Sequence, residues 1–279
     1  MEIALSLIGA VTPILYALVS ASYAVLFVRD DSLARRVATP LLGAAILSHL
    51  CELLLRGLVR DRLPIGNAFE SLSALAFAIA CVYLYIEIRQ KTPMTGIFVL
   101  PFVFLAELLS SAFIHRSAPT PDILRSALFG VHAGAAILGY CGFAVAAIYG
   151  ILFLALYHEL KARRFSIVYD RLPPLEVLAQ MNIRALTVGF VFLSLAIVLG
   201  GFWLARVREA SASDPKVLFT IVAWAVFGIS LFAHFVLRWA GPRIAQPLDR
   251  ARHLGVRERD RLAHLERARV MREPHACER

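Results

Sequence analysis

Long apolar segments separated by short polar ones dominate the pattern of this chain. A helix needs roughly 20 mainly apolar residues to cross a bilayer. Seven segments meet or approach that length: 3–28, 38–58, 68–88, 95–113, 124–157, 183–205 and 217–238. The pattern predicts an all-α, polytopic membrane bundle of about seven transmembrane helices, with eight as the alternative count.

The composition agrees with a membrane protein. The 279 residues are 59% hydrophobic and only 18% charged, with a mean hydropathy of +0.70, which is too apolar for a soluble domain. The first segment has no basic stretch before it, so we expect a retained helix rather than a cleaved signal peptide. We predict a membrane-embedded domain over 1–240 and a basic tail over 241–279.

Lys and Arg lie mainly in the connections at one end of the predicted helices and in the tail. Short basic loops stay on the cytoplasmic side, so we predict an outer amino terminus and a cytoplasmic carboxyl terminus in a bacterial-type inner membrane. Three connections then face outward: 57–67, 114–123 and 206–216. The net charge of +9 is scattered, which argues against nucleic acid as a partner and favours the lipid bilayer.

The chain shows no signature of a conventional enzyme. Four cysteines are present without a CxxC pair, and we expect those within the helices to be small core residues. The nucleophile elbow, the Walker A loop and the HExxH zinc motif are also missing from the sequence. We therefore predict a binding protein, at most a component of a larger enzyme system.

Three histidines, His49, His132 and His234, lie inside apolar segments, where polar groups are costly and usually face a cavity, a ligand or a partner. Each either bonds to a neighbouring helix or serves as an axial ligand of haem iron. Their wide spacing disfavours structural zinc. Placing the Glu107 carboxylate inside an apolar segment is similarly costly, and we expect it to pair with a residue of another helix.

Two further carboxylates invite explanation. Glu52 and Arg56 stand four apart on one helix face and predict an ion pair, while His49 and Glu52, three apart, could orient one another. Glu70 is either a carboxylate at a helix start with Asn67 as its cap, or a site residue.

Small residues recur at spacings of three or four within 134–150, below His132. Such a pattern permits close contact between helices in lipid. The alternative is a flat ligand against this face.

Four runs resemble, in order and spacing, the CcsA/CcmC-type cytochrome c assembly proteins, with the short HemX-like branch closest. These runs are PIGNAFESLSALAFAIACVYLYIE (64–87), VHAGAAILGYCGFAVAAIYGILFLALY (131–157), the stretch 171–204, and DPKVLFTIVAWAVFGISLFAHF (214–235). The four runs lie within 64–235, which is the greater part of the chain.

The resemblance implies that b-type haem, held without covalent attachment, is displayed at the outer face for attachment to apocytochrome c. His132 matches the external axial ligand, and His234 matches an intramembrane histidine that holds haem. Glu70 lies in the family's Asn-x-x-Glu-Ser-Leu element, and Asp214 begins its Asp-Pro-Lys element. A CcsB-type subunit is the implied partner.

We therefore predict a haem-binding protein of cytochrome c maturation, with His132, His234, His49, Glu70 and Asp214 as candidate site residues. In the family that the chain resembles, the stretch before the Asp-Pro-Lys element is rich in tryptophan, whereas residues 208–213 contain none. This departure favours one alternative, a HemX-like regulator of tetrapyrrole synthesis. A transporter or structural membrane subunit without haem is the other.

Overall fold

The structure, a computed structural model, describes residues 1–114, 126–163, 166–204 and 215–236. These residues form eight α-helices: α1 (Glu2–Arg29), α2 (Ser32–Arg60), α3 (Ala68–Gln90), α4 (Gly96–Phe113), α5 (Ala127–Lys161), α6 (Ile167–Arg171), α7 (Leu175–Leu204) and α8 (Pro215–Phe235). A 3₁₀ turn, Pro93–Thr95, precedes α4. No strand occurs within these described ranges.

All helices except the five-residue α6 are long and apolar enough to cross a bilayer. The prediction of an all-α bundle with seven membrane-spanning helices is therefore confirmed for the described residues. The orientation of the bundle in the membrane stays a prediction.

Two helices begin earlier than the apolar segments indicate. Helix α7 begins at Leu175, directly after Pro173-Pro174, rather than at 183, and it continues without a break. Helix α2 begins at Ser32 rather than at 38, because the Asp31 carboxylate accepts hydrogen bonds from the backbone N–H groups of Leu33 and Ala34.

The turn between α1 and α2 is tied to α6. The Asp30 carboxylate lies 2.6 Å from the Arg171 guanidinium of α6 and also contacts Arg35 in the first turn of α2. Hydrogen bonds from Arg171 and then Arg35 lower the pKa of Asp30, which keeps this exposed carboxylate charged. The ends of α1, α5 and α7 that adjoin these connections therefore share one end of the bundle.

The closest helix approach lies between α5 and α7. A Cβ atom added at Gly142 would lie only 2.5 Å from the Cα atom of Gly189, so these glycines let the two backbones touch. This contact confirms the prediction that the small residues of α5 serve close packing. At Gly139 and Gly142 the α7 backbone leaves no room for a flat ligand.

Helix α8 packs on this pair through aromatic side chains. Phe227 stacks on Phe143 with ring centroids 3.9 Å apart, and Trp224 stacks on Phe190 at 5.3 Å. The Trp224 indole also donates a hydrogen bond to the Ser194 hydroxyl at 2.8 Å. Helices α5, α7 and α8 thus form one packed group beside the α1–α4 group.

The chain divides into two compact units, Met1–Phe232 and Ala233–Arg279. Only residues 233–236 of the second unit are described, and they include the end of α8. The predicted tail 241–279 and its boundary with the membrane domain lie outside the described residues. Among the cysteines, Cys141 is buried as predicted, whereas Cys51 is exposed on α2 and is not a core residue.

Candidate functional site

His132 lies near the start of α5, and its ring is anchored to α7. Its Nδ1 atom lies 2.8 Å from the backbone carbonyl oxygen of Ala196. Because a carbonyl can only accept, Nδ1 carries the proton. The lone pair of the neutral imidazole is then on Nε2, and the half-buried side chain keeps access to solvent or ligand.

Gly200 provides the surface on which this ring lies. A Cβ atom at position 200 would lie 2.8 Å from the His132 Cε1 atom and 3.1 Å from Nδ1. Gly200 and Ala196 are four residues apart, so they share one face of α7. A Cβ atom at the adjacent Gly201 would meet nothing within 4 Å. One face of α7 therefore fixes both the position and the tautomer of His132.

The connection between α2 and α3 lies at the same end of the bundle as His132. A Cβ atom at Gly130 would lie 2.6 Å from the Leu63 Cδ1 atom, which puts the loop against the first turn of α5. Connection 57–67 therefore contacts the first turn of the helix that carries His132. Asp214 and the rest of connection 206–216, except Pro215 and Lys216, lie outside the described residues.

Glu70 is fully buried and organises this loop. Its carboxylate accepts hydrogen bonds from Arg62 at 2.6 Å and from the backbone N–H of Gly66 at 2.7 Å, and it pairs with Arg60. The Asn67 side chain caps α3 by accepting from the Glu70 backbone N–H at 2.8 Å, as predicted. Glu70 thus pairs with two arginines and fixes the path of the loop. A role of Glu70 in ligand binding stays a prediction.

His49 is fully buried, and both of its ring nitrogens are engaged. Nε2 lies 3.0 Å from the Ser73 hydroxyl and 3.2 Å from the Glu107 carboxylate, while Nδ1 lies 3.1 Å from the Tyr16 hydroxyl. Ser73 itself donates to Glu107 at 2.8 Å. The consistent arrangement has Nε2–H facing Glu107 and Tyr16 donating to Nδ1. His49 therefore bonds to neighbouring helices α1, α3 and α4.

The predicted ion pair on α2 is confirmed, with Arg56 Nη2 lying 2.5 Å from Glu52 Oε1. The suggestion that Glu52 orients His49 was wrong, because Glu107 from α4 takes that position. The expectation that Glu107 pairs with another helix is confirmed. Glu52 Oε2 and Arg56 Nη1 are buried and have no hydrogen-bond partner among the described residues.

A further buried carboxylate, Glu87, was not singled out by the sequence pattern. It accepts hydrogen bonds from the Tyr23 and Thr39 hydroxyls, each at 2.5 Å, and thereby joins α3 to α1 and α2. Its position near the end of α3 resembled an ordinary interfacial charge. The only sequence signal for a buried partner was the presence of hydroxyl-bearing side chains in α1 and α2. Such residues are too common in membrane helices to identify that partner.

His234 lies in the last turn of α8, half-buried, with its ring edge-on to Phe235 at a centroid distance of 5.0 Å. It belongs to the second compact unit, so its pairing with His132 stays a prediction. Within the described ranges, no three His, Cys, Asp or Glu residues converge as a metal site would require. Haem binding does not require such a cluster, because a haem iron needs only one or two protein ligands.

The fold and the anchored histidine define a class: a polytopic helical membrane protein with an imidazole held against α7 near one end of its bundle. A family model described as "Cytochrome C assembly protein" matches residues 65–245. The chain belongs to this cytochrome c assembly family and therefore has a role in cytochrome c maturation. The matched segment contains His132, His234, Glu70 and Asp214, whereas His49 precedes it.

Relatives with curated names agree with this family. The cytochrome c biogenesis protein CcsA of Trieres chinensis is 26% identical over 225 residues, covering 68% of this chain and 71% of the relative. CcsA of Prochlorococcus marinus (strain MIT 9303) is 26% identical over 242 residues, covering 75% of each chain. No solved structure matches the chain significantly. The predicted CcsA/CcmC resemblance is confirmed, and these relatives give no support to a HemX-like regulator.

Proposed function

We propose that this protein binds b-type haem non-covalently at the start of α5 and presents it for attachment to apocytochrome c. The observation that carries the proposal is the hydrogen bond from His132 Nδ1 to the Ala196 carbonyl oxygen. In the neutral ring this bond puts the lone pair on Nε2, and a lone pair on nitrogen is what a ligand of haem iron requires. When bound, haem supplies an iron centre that accepts such an axial imidazole.

Three features favour His132 over His49 as the ligand. His132 is half-buried and has one nitrogen without a bond in the described residues, whereas His49 is fully buried with both nitrogens engaged. His132 also lies within the family-matched segment. We assign His49 to the polar network that joins helices α1, α2, α3 and α4. Breaking its bonds would take a partner from the buried Glu107 carboxylate.

The remaining candidate residues take supporting roles in the proposal. Glu70 holds the loop beside α5 through Arg60 and Arg62, which positions the outer surface around His132. His234 serves as an intramembrane haem ligand, and Asp214 belongs to the outer connection that follows α7. On the charge-based orientation, His132 faces the outside of a bacterial-type inner membrane, where a CcsB-type subunit and apocytochrome c are the expected partners.

The carbonyl of Ala196 does more than orient the ring. A hydrogen bond from Nδ1–H to an oxygen increases the basicity of the opposite nitrogen, and it holds the ring against rotation. Gly200 lets the imidazole lie directly on the α7 backbone. The ligand is therefore prepared before haem arrives, and less ordering is needed on binding.

The test compares His132→Gly with His158→Gly in purified protein titrated with haem. His158 is an exposed histidine at the opposite end of the same helix, bonded through Nδ1 to its own helix at Leu154. Loss of a residue that only supports a metal ligand weakens metal binding roughly 10- to 100-fold. Because His132 would be the ligand itself, we expect His132→Gly to weaken haem binding by more than that. Added imidazole should restore the Soret band, because it refills the space left by the ring.

His158→Gly should keep the wild-type Soret band and affinity. A His132→Gly protein with an unchanged Soret maximum and unchanged affinity would exclude His132 as the ligand. In cells that depend on this protein, the yield of holo-cytochrome c should fall with His132→Gly and not with His158→Gly.

A further inference from the structure

A groove of about 430 Å³ lies between α3, α5 and α7, away from His132. Most of its lining is apolar. Cys141 and Val145 form part of its buried floor, and Leu138 and Val188 are exposed at its rim. In a membrane-spanning bundle such exposed apolar residues face hydrocarbon, so the groove opens towards lipid.

One part of the groove is basic. Arg89 lies in the last turn of α3, and Arg184 lies in the third turn of α7. Both side chains are exposed, and neither forms a hydrogen bond or ion pair with another described residue. Two guanidinium groups that have no counter-charge among the described residues, at the edge of a hydrocarbon-facing groove, favour an anionic occupant.

The depth of these arginines matches the headgroup region of one leaflet. Helix α3 ends at Gln90 and α7 begins at Leu175, so both arginines lie towards the bundle end that also carries α6 and the α1–α2 turn. From Arg184 the groove continues along α7 to Phe192, two helical turns or about 12 Å further into the membrane. The charged part therefore lies nearer the membrane surface than the apolar part.

We propose that this groove binds an anionic phospholipid of that leaflet, with its phosphate at Arg89 and Arg184 and an acyl chain on the apolar floor. Basic pockets between membrane helices are known to select anionic headgroups. The open rim admits an occupant from within the bilayer, where phospholipid is the abundant amphiphile. On the charge-based orientation this is the cytoplasmic leaflet.

The test measures lipid binding to the purified full-length protein by native mass spectrometry during titration with palmitoyl-oleoyl phosphatidylglycerol or phosphatidylcholine. We expect wild-type protein to prefer phosphatidylglycerol. Each basic residue near an anionic surface contributes about a fivefold factor, so Arg89→Gln with Arg184→Gln should weaken phosphatidylglycerol binding about 25-fold.

A matched control removes the same charge at the same end of the bundle but outside the groove. Arg29 and Arg36 are both exposed and have no bond to a described residue, so Arg29→Gln with Arg36→Gln should keep the wild-type affinity. Val188→Trp should fill the groove and reduce binding without a change in charge. Circular dichroism melting checks that each variant is folded.

Three results would overturn the proposal. The first is unchanged phosphatidylglycerol binding when Arg89 and Arg184 are both Gln. The second is an equal loss in the Arg29 and Arg36 control, which would indicate diffuse attraction rather than a site. The third is displacement of lipid by added haem together with a haem spectrum that depends on Arg89 and Arg184, which would identify haem as the occupant.

Discussion

Replacing Gly200 by Ala should weaken haem binding by displacing the His132 ring. The added Cβ atom would lie 2.8 Å from the ring's Cε1 atom, whereas ordinary van der Waals contact begins at 3.4 Å. The ring must therefore retreat by about 0.6 Å, the difference between these two distances. The Ala196 carbonyl that accepts the ring's hydrogen bond belongs to the same face of α7 and does not move with the ring.

The cost follows from the geometry of that hydrogen bond. A retreat of this size lengthens the 2.8 Å contact from Nδ1 to the carbonyl oxygen beyond the roughly 3.2 Å limit of a good N–H···O bond. Losing it costs about 1 kcal/mol, and an off-rotamer ring position costs a further 0.5–1.5 kcal/mol or so. A total of about 1.5–2.5 kcal/mol corresponds to roughly 10- to 60-fold weaker haem binding.

Haem titration followed at the Soret band measures this effect, with Gly201→Ala as the control. A Cβ atom at Gly201 meets nothing within 4 Å, and both substitutions change helix propensity equally. Gly201→Ala should bind haem as the wild type does. Equal affinities in the two variants would refute the conclusion that α7 positions the His132 ring.

Two further substitutions test the packing inside the bundle by thermal unfolding in detergent. Arg56→Met leaves the buried Glu52 carboxylate without its partner and should destabilise the protein by about 3–5 kcal/mol, partly restored when Glu52→Gln is added. Gly142→Ala should lower the melting temperature, since its Cβ atom meets the α7 backbone at Gly189, while Gly134→Ala has open space and should not. A stable Arg56→Met protein, or equal melting of the two Ala variants, would contradict these assignments.

Local features of the site were predictable because they depend on residues close in the chain. The Asn67 cap joins two residues three apart, and the Glu52–Arg56 pair joins two residues four apart on one helix. Helical geometry alone brings such pairs together. The prediction that His49 pairs with Glu52 failed for a related reason, because a shared helix face permits a contact without deciding it.

The partners of His49 lie on other helices and could not be read from the pattern. Tyr16, Ser73 and Glu107 come from α1, α3 and α4, and each contact depends on how those helices are rotated about their axes. In lipid, apolar side chains occur on every face, so hydrophobic periodicity does not identify the inner face of a helix. The position of Glu107 inside an apolar segment indicated that it needs a partner, but not which residue that partner is.

The sequence by itself determined the all-α class, the seven membrane spans and the resemblance to cytochrome c assembly proteins. Span length and hydropathy are properties of each segment alone, and family motifs need no contact to be recognised. Only the tertiary structure decided which nitrogen of His132 carries the proton and that Gly200 supports its ring. These depend on α7 passing α5 at close range with one face turned towards it, and packing between distant segments fixes that approach.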